Sequence, residues 1–168
     1  MSPEPESRRH SRALEVELIA DPAERARQEA RNGLRQFDHV IEAIEFWLQP
    51  ERKPFKLRPS AILTLNRIAL EGINALAGVL RPGPVEIVGS KHVPPPPHLV
   101  PELVEQMCDY INDNVVKNSP IHLSAYAMWR MNWIHPFNDG NGRTARVVSY
   151  LVLCVCLGTR LPGTMTIP

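Results

Sequence analysis

Between residues 133 and 146 the chain reads Trp-Ile-His-Pro-Phe-Asn-Asp-Gly-Asn-Gly-Arg-Thr-Ala-Arg. This short stretch crowds together an imidazole, a carboxylate, two glycines, an amide and two guanidinium groups. Gly140-Asn141-Gly142 can adopt positive φ values that aim successive backbone N–H groups into one concavity, and the helix opening there adds its positive dipole end. Such a loop holds an anion. Arg143 in the first turn and Arg146 at i+3 can reach the same helix end. Arginine there opposes the dipole, an opposition that a polyanion lying between them removes, so phosphates are the natural ligand. Asp139, directly before this nest, would repel phosphates unless a cation lay between, and Mg²⁺ commonly binds through one or two carboxylates together with phosphate oxygens. His135 has the side chain whose ordinary pKa of ~6.5 suits general-base work near neutrality.

Other readings of the same residues are weaker. A plain loop with good turn chemistry would explain His-Pro and Asp-Gly-Asn-Gly, but not the coincidence of so many functional types. The string GNGRTA matches G-x-G-x-x-A, yet no strand precedes it and no acidic residue follows about 20 positions later, as a dinucleotide site requires. A Walker loop lacks its Gly-Lys-Ser/Thr, and a zinc site lacks a third nearby ligand. Nothing is assigned to His39, His92, His98 or His122.

The elements that must position these residues read as helices. Asp21-Pro22 is an N-cap and N1 pair, after which Ala30, Leu34, Phe37, Ile41, Ile44 and Leu48 recur at helical spacing. A proline-bearing break over 49–59 precedes a second helical period through Ile62, Leu65, Ala69, Ile73 and Leu76 up to Gly78. Val85-Glu86-Ile87-Val88 alternates as a strand does, and Gly89-Ser90 can turn it back onto Lys91-His92-Val93 as a hairpin. Leu103, Met107 and Ile111 predict a third helix ending near Asn114, and Ser119-Pro120 opens a fourth through Trp133. Arg143 to Leu157 predicts a helix whose later half is apolar all round, as a central buried helix should be. The fold class is mostly α, with one small β-hairpin.

Composition narrows the function classes. With 168 residues, 19 Lys+Arg against 18 Asp+Glu and a net charge of +1, the chain is expected to form one domain with no global field for nucleic acid. The odd, unclustered Cys108, Cys154 and Cys156 fit a reducing, cytoplasmic setting. The apolar run over 147–157 is far short of the ~20 residues of a membrane span, and the first twenty residues carry no signal-type apolar core. Residues 1–20 are expected to be a flexible tail, and 21–168 the catalytic core.

At the motif the sequence resembles the Fic family, whose signature is H-x-F-x-D/E-G-N-G-R-x-x-R. His135, Phe137, Asp139, Gly140, Asn141, Gly142, Arg143 and Arg146 fill every specified position. Upstream, Arg81 to Ser90 followed by prolines is similar to the family's β-hairpin flap, so that the resemblance covers roughly residues 30 to 165. It implies a Fic-like helical bundle around a central helix, which transfers AMP from ATP to a Ser, Thr or Tyr hydroxyl of a target protein and releases pyrophosphate. It further implies His135 as base and Asp139 as the Mg²⁺ ligand. Gly140, Asn141 and Gly142 would be the phosphate cradle, with the Asn141 amide as an extra donor. Arg143 and Arg146 would be the clamps on the β and γ phosphates, Phe137 the core anchor, and Val85, Glu86, Ile87 and Val88 the flap that docks the target. Relatives also include Doc-like phosphotransferases, which carry Lys where this chain has Gly142, and enzymes that remove AMP; a different class of reading, a catalytically silent interaction module that kept the fold, is opposed by the intact His135 and Asp139. Many members carry an inhibitory S/T-x-x-x-E-G/N helix whose Glu pairs with the last Arg. Glu71-Gly72 is the only Glu here followed by Gly or Asn, but Arg67 stands where Ser or Thr should be, and an Arg67–Glu71 surface pair is the simpler expectation. Control would then come from a partner protein or from sequence beyond Pro168, where the resemblance implies further helix.

Overall fold

The computed structural model describes residues 11–12 and 17–162. Five helices carry the chain: α1 (Pro22–Leu48), α2 (Pro59–Leu70), α3 (Val100–Asn114), α4 (Pro120–Ile134) and α5 (Asn141–Leu157). Three of them begin on proline, whose fixed φ and missing N–H cost nothing at the first helical position. Asp21 caps α1, its carboxylate accepting from Ala23 N and Glu24 N at 3.2 Å each, and Ser119 caps α4 through His122 N at 3.2 Å.

α5 is the central helix, packed against α4, α1 and α2. Its buried set includes Ala145, Val148, Leu151, Val152 and Cys154. Ser149 on α5 and Ser124 on α4 exchange hydrogen bonds, each hydroxyl donating to the other's carbonyl at 2.9–3.0 Å. Small side chains with their polar atoms satisfied in this way let the two backbones approach closely.

Three expectations need correction. The second helix stops at Leu70 rather than running to Gly78, because Gly72 takes a φ of 72° and turns the chain out. The buried face of α1 is Asn32, Gln36, Val40 and Ile44, while Leu34 is 70% exposed. The two buried amides replace apolar contact with hydrogen bonds to main-chain carbonyls of the α2 segment: Asn32 donates to Ala69 O and Glu71 O, and Gln36 to Leu65 O. Finally, Val85–Val88 does not pair with Lys91–Val93. The turn is present, with Ser90 N donating to Ile87 O at 3.0 Å, but the strand β2 (Glu86–Ile87) pairs antiparallel with β1 (Ser11–Arg12) instead. That pairing, a bridge from Glu17 to Asn74 and a bond from Leu18 N to Ile73 O also tie down parts of the segment expected to be a loose tail. Residues 1–10 and 13–16 of that segment lie outside the described residues.

Candidate active site

His135 closes α4 in the left-handed conformation, at φ 51° and ψ 60°. Among the described residues it is the one non-glycine with positive φ. A side chain held there costs on the order of 1 kcal/mol or more and persists only when its surroundings over-determine it. Arg81 does so. Its Nε donates to His135 O at 2.8 Å, Nη1 to Gly83 O at 3.0 Å, and Nη2 to Pro95 O and, at 3.5 Å, Ile134 O. Its own N–H donates to Pro136 O. At 2% exposure Arg81 is a buried guanidinium whose hydrogen-bond partners are carbonyl oxygens. It thereby ties both ends of the Val85–Val93 segment to the end of α4.

The His135 ring is itself buried. Desolvation pushes its pKa down from the ordinary value to about 4, with the charge of Arg81 and the nearby His92 ring acting in the same direction. A hydrogen bond to the Asn132 main chain and the charge of Asp139 oppose them without prevailing. The imidazole is therefore neutral at physiological pH.

Beyond His135 the loop is stapled from within. Phe137, 1% exposed, plugs it into the core. Asn141 reaches back to the same residue, its Oδ1 accepting from Phe137 N at 2.9 Å and its Nδ2 donating to Phe137 O at 2.8 Å. The Asn141 amide, expected as an extra phosphate donor, is buried and bonds the loop through its oxygen and one of its N–H groups. Gly140 is required twice over. Its φ is 74°, and a Cβ there would meet Asn66 Nδ2 at 3.0 Å and Leu70 at 3.3 Å. Asn66, fully buried on α2, donates to Asp139 O at 3.0 Å and Thr144 Oγ1 at 3.3 Å and accepts from Gly78 N.

α5 starts directly on this turn with no side-chain cap, so its first N–H groups are left without helical partners, an arrangement that suits an anion. Arg146 is exposed, and its Nη1 lies 3.6 Å from where a Cβ on Gly142 would be, folding the guanidinium back over the helix start. Asp139 accepts from Gly140 N at 2.6 Å and faces Arg25 Nη2 at 3.2 Å and Arg143 Nη2 at 3.5 Å. A carboxylate that already draws two cations fits a divalent ion. Among the described residues no cluster of three or more His, Cys, Asp or Glu could cage one. The donor set therefore suits a hard cation shared with phosphate oxygens and water, which is the habit of Mg²⁺.

The structure thus brings His135, Asp139, Gly140, Asn141, Gly142, Arg143 and Arg146 onto one loop and helix start. Glu71 stands apart from them: its Oε2 pairs with Arg35 Nη1 at 2.6 Å, not with Arg67 as expected. Sequence reasoning missed Arg81, Asn66, Arg25 and Glu29. Asn66 was signalled as a polar residue in the apolar phase of α2; the others left no local mark.

The model of the Fic/DOC family matches residues 56–153. The chain belongs to that family. A probable protein adenylyltransferase of Aquifex aeolicus is 29% identical over 151 residues, 84% of this chain and 45% of that protein. A protein adenylyltransferase of Caenorhabditis briggsae is 35% identical over 94 residues, 55% of this chain and 18% of its own length. The chain therefore spans less than half of these curated relatives. A Fic-domain signalling protein of Bacteroides thetaiotaomicron shares the fold with a TM-score of 0.70 at 23% identity, over 83% of this chain and 52% of that one. A Bartonella quintana Fic domain solved with bound ADP matches at a TM-score of 0.57 and 19% identity, over 80% and 67%. The mostly helical Fic-type fold is as expected.

Proposed function

We propose that this chain transfers AMP from ATP to a hydroxyl side chain of a target protein. The observation that carries the reading is His135: a buried, neutral imidazole fixed at the helix end by Arg81, on the same loop as an anion nest. His135 takes the proton of the incoming hydroxyl as its oxygen attacks the α-phosphorus. The helix-start N–H groups from Asn141 onward and the guanidinium groups of Arg143 and Arg146 take up the charge growing on the pyrophosphate. Asp139 would hold Mg²⁺, which when bound neutralises the phosphates and eases departure of the leaving group. Val85–Val88, tied to the loop through Arg81, would grip an extended target segment by main-chain hydrogen bonds. The naming of curated relatives as protein adenylyltransferases supports this reading, as does a nucleotide in a related Fic domain.

Gly142 stands where the Doc-like branch carries Lys, which favours AMP transfer over phosphotransfer. A cytoplasmic setting goes with the free thiols of Cys108, Cys154 and Cys156. Among the described residues no helix is long and apolar enough to cross a membrane. An inhibitory partner protein would act by offering a carboxylate to Arg146 in competition with the γ-phosphate.

The test is incubation of the chain and a protein mixture with Mg²⁺ and ATP labelled at the α or the γ phosphate. Label should reach protein from the α position only. His135→Ala should cut transfer by about 10²–10⁴ while nucleotide still binds. Transfer from the γ position would establish phosphotransfer instead, and an unchanged rate in His135→Ala would remove His135 as base.

A further inference from the structure

Arg25 and Glu29 lie one turn apart near the start of α1, more than a hundred residues before the loop. They complete a closed ring of alternating charge with it. Arg25 meets Asp139 at 3.2 Å, Asp139 meets Arg143 at 3.5 Å, Arg143 meets Glu29 at 3.6 Å, and Glu29 returns to Arg25 at 3.2 Å. Glu17 adds a second carboxylate on Arg25. The four ring side chains are 26–36% exposed, so the ring is reachable by ligands and each pair is weak enough to yield to one.

The ring has a consequence for what the loop accepts. A cation reaching Asp139 must displace Arg25, and an anion reaching Arg143 must displace Glu29. A phosphate alone replaces Glu29 but leaves Asp139 held by a guanidinium; a metal alone replaces Arg25 but leaves Arg143 held by a carboxylate. Only a ligand that brings both charges together replaces both α1 contacts at once.

We propose that Arg25 and Glu29 are specificity-determining residues that make the site select the metal–polyphosphate pair over either component. This rests on the reading of Asp139 as metal ligand and Arg143 as phosphate clamp. The two residues act with opposite sign. Removing the charge of Arg25 leaves Asp139 with Arg143 as its remaining cation, which eases metal entry and leaves less positive charge to hold metal-free phosphate. Removing that of Glu29 releases Arg143 and Arg25 toward phosphate, so metal-free nucleotide gains.

The experiment is calorimetric titration of the 168-residue chain with a non-transferable β,γ-imido analogue of ATP, with Mg²⁺ and again with EDTA. The quantity read is the ratio of the metal-free Kd to the Kd with Mg²⁺. Arg25→Gln should raise the ratio about three- to tenfold, and Glu29→Gln should lower it by a similar factor, the scale of one partly exposed ion pair. Arg25→Lys should stay near the parent, and circular dichroism should show the same helix content throughout. Because the signs oppose, Glu29→Gln alone still decides the matter should Arg25→Gln fold poorly. Equal changes in both Kd values, or ratios moving the same way, overturn the proposal. Asp139→Asn separates the two readings. A ratio of one in the parent, or one untouched by Asp139→Asn, removes the metal reading and the proposal with it; an Asp139-dependent ratio indifferent to Arg25 and Glu29 overturns the proposal alone.

Discussion

His135 is where two requirements pull apart. In the proposed role of general base it would work best with a pKa near the operating pH, yet the burial that fixes this ring holds its pKa at about 4. The profile of kcat/KM reports the free enzyme, so its acid limb should fall well below pH 6.5, toward pH 4. The kcat limb should lie higher, because anionic phosphates in the complex favour the imidazolium. Pre-steady-state labelling across pH checks both, and a kcat/KM limb at or above 6.5 would contradict the buried, neutral ring. Stability follows the same residue. Between about pH 4 and 6.5 the unfolded chain takes up a proton at this position that the folded chain declines, so this contribution is present above 6.5 and is lost as pH falls through the window. The identities of the motif residues were legible in sequence because rare types coincide at close spacing. The task of the Asn141 amide was not, since the same group serves a phosphate or a staple and only the position of Phe137 decides.

At the level of elements, starts were more legible than stops. Pro22 and Pro120 mark helix openings by a constraint local to one residue, and so does Pro59, although the sequence pattern places it in the break between helices. The end of α2 turns on Gly72, and the inward face of α1 depends on amides reaching another helix, as Asn32 and Gln36 do, whereas helical periodicity counts only apolar positions. The strand partner was hidden for the same reason: two-residue pairing leaves no pattern in the chain. Arg81 is the clearest case of an element joint held by one side chain. Arg81→Met should leave the buried carbonyl of His135 without that donor, at roughly 1–3 kcal/mol before relaxation, and the half-buried carbonyls of Gly83 and Pro95 without it at the lower end of that range. The expected loss is on the order of 3–5 kcal/mol in denaturant unfolding, together with loss of nucleotide binding. A change below about 1 kcal/mol would mean that water replaces the guanidinium freely.

For the molecule as a whole, the loop is the place where distant parts of the chain are sewn together. Arg25 reaches it from α1, Asn66 from α2 and Arg81 from the segment after it, while α4 and α5 form its two shores. On the proposed function, local opening at any of these points would disturb the loop, and the conformations competent to bind nucleotide would be those with the long-range structure intact. Ligand and fold are then thermodynamically linked, and saturation at the loop becomes resistance to heat everywhere. At one hundred times Kd the linkage is worth about 2.7 kcal/mol. In a chain of this size that is a rise in Tm of roughly 5–10 °C, measurable by scanning calorimetry with Mg²⁺ and the imido analogue. A nucleotide that bound at the loop without moving the Tm would show that these seams open independently of the helices they join.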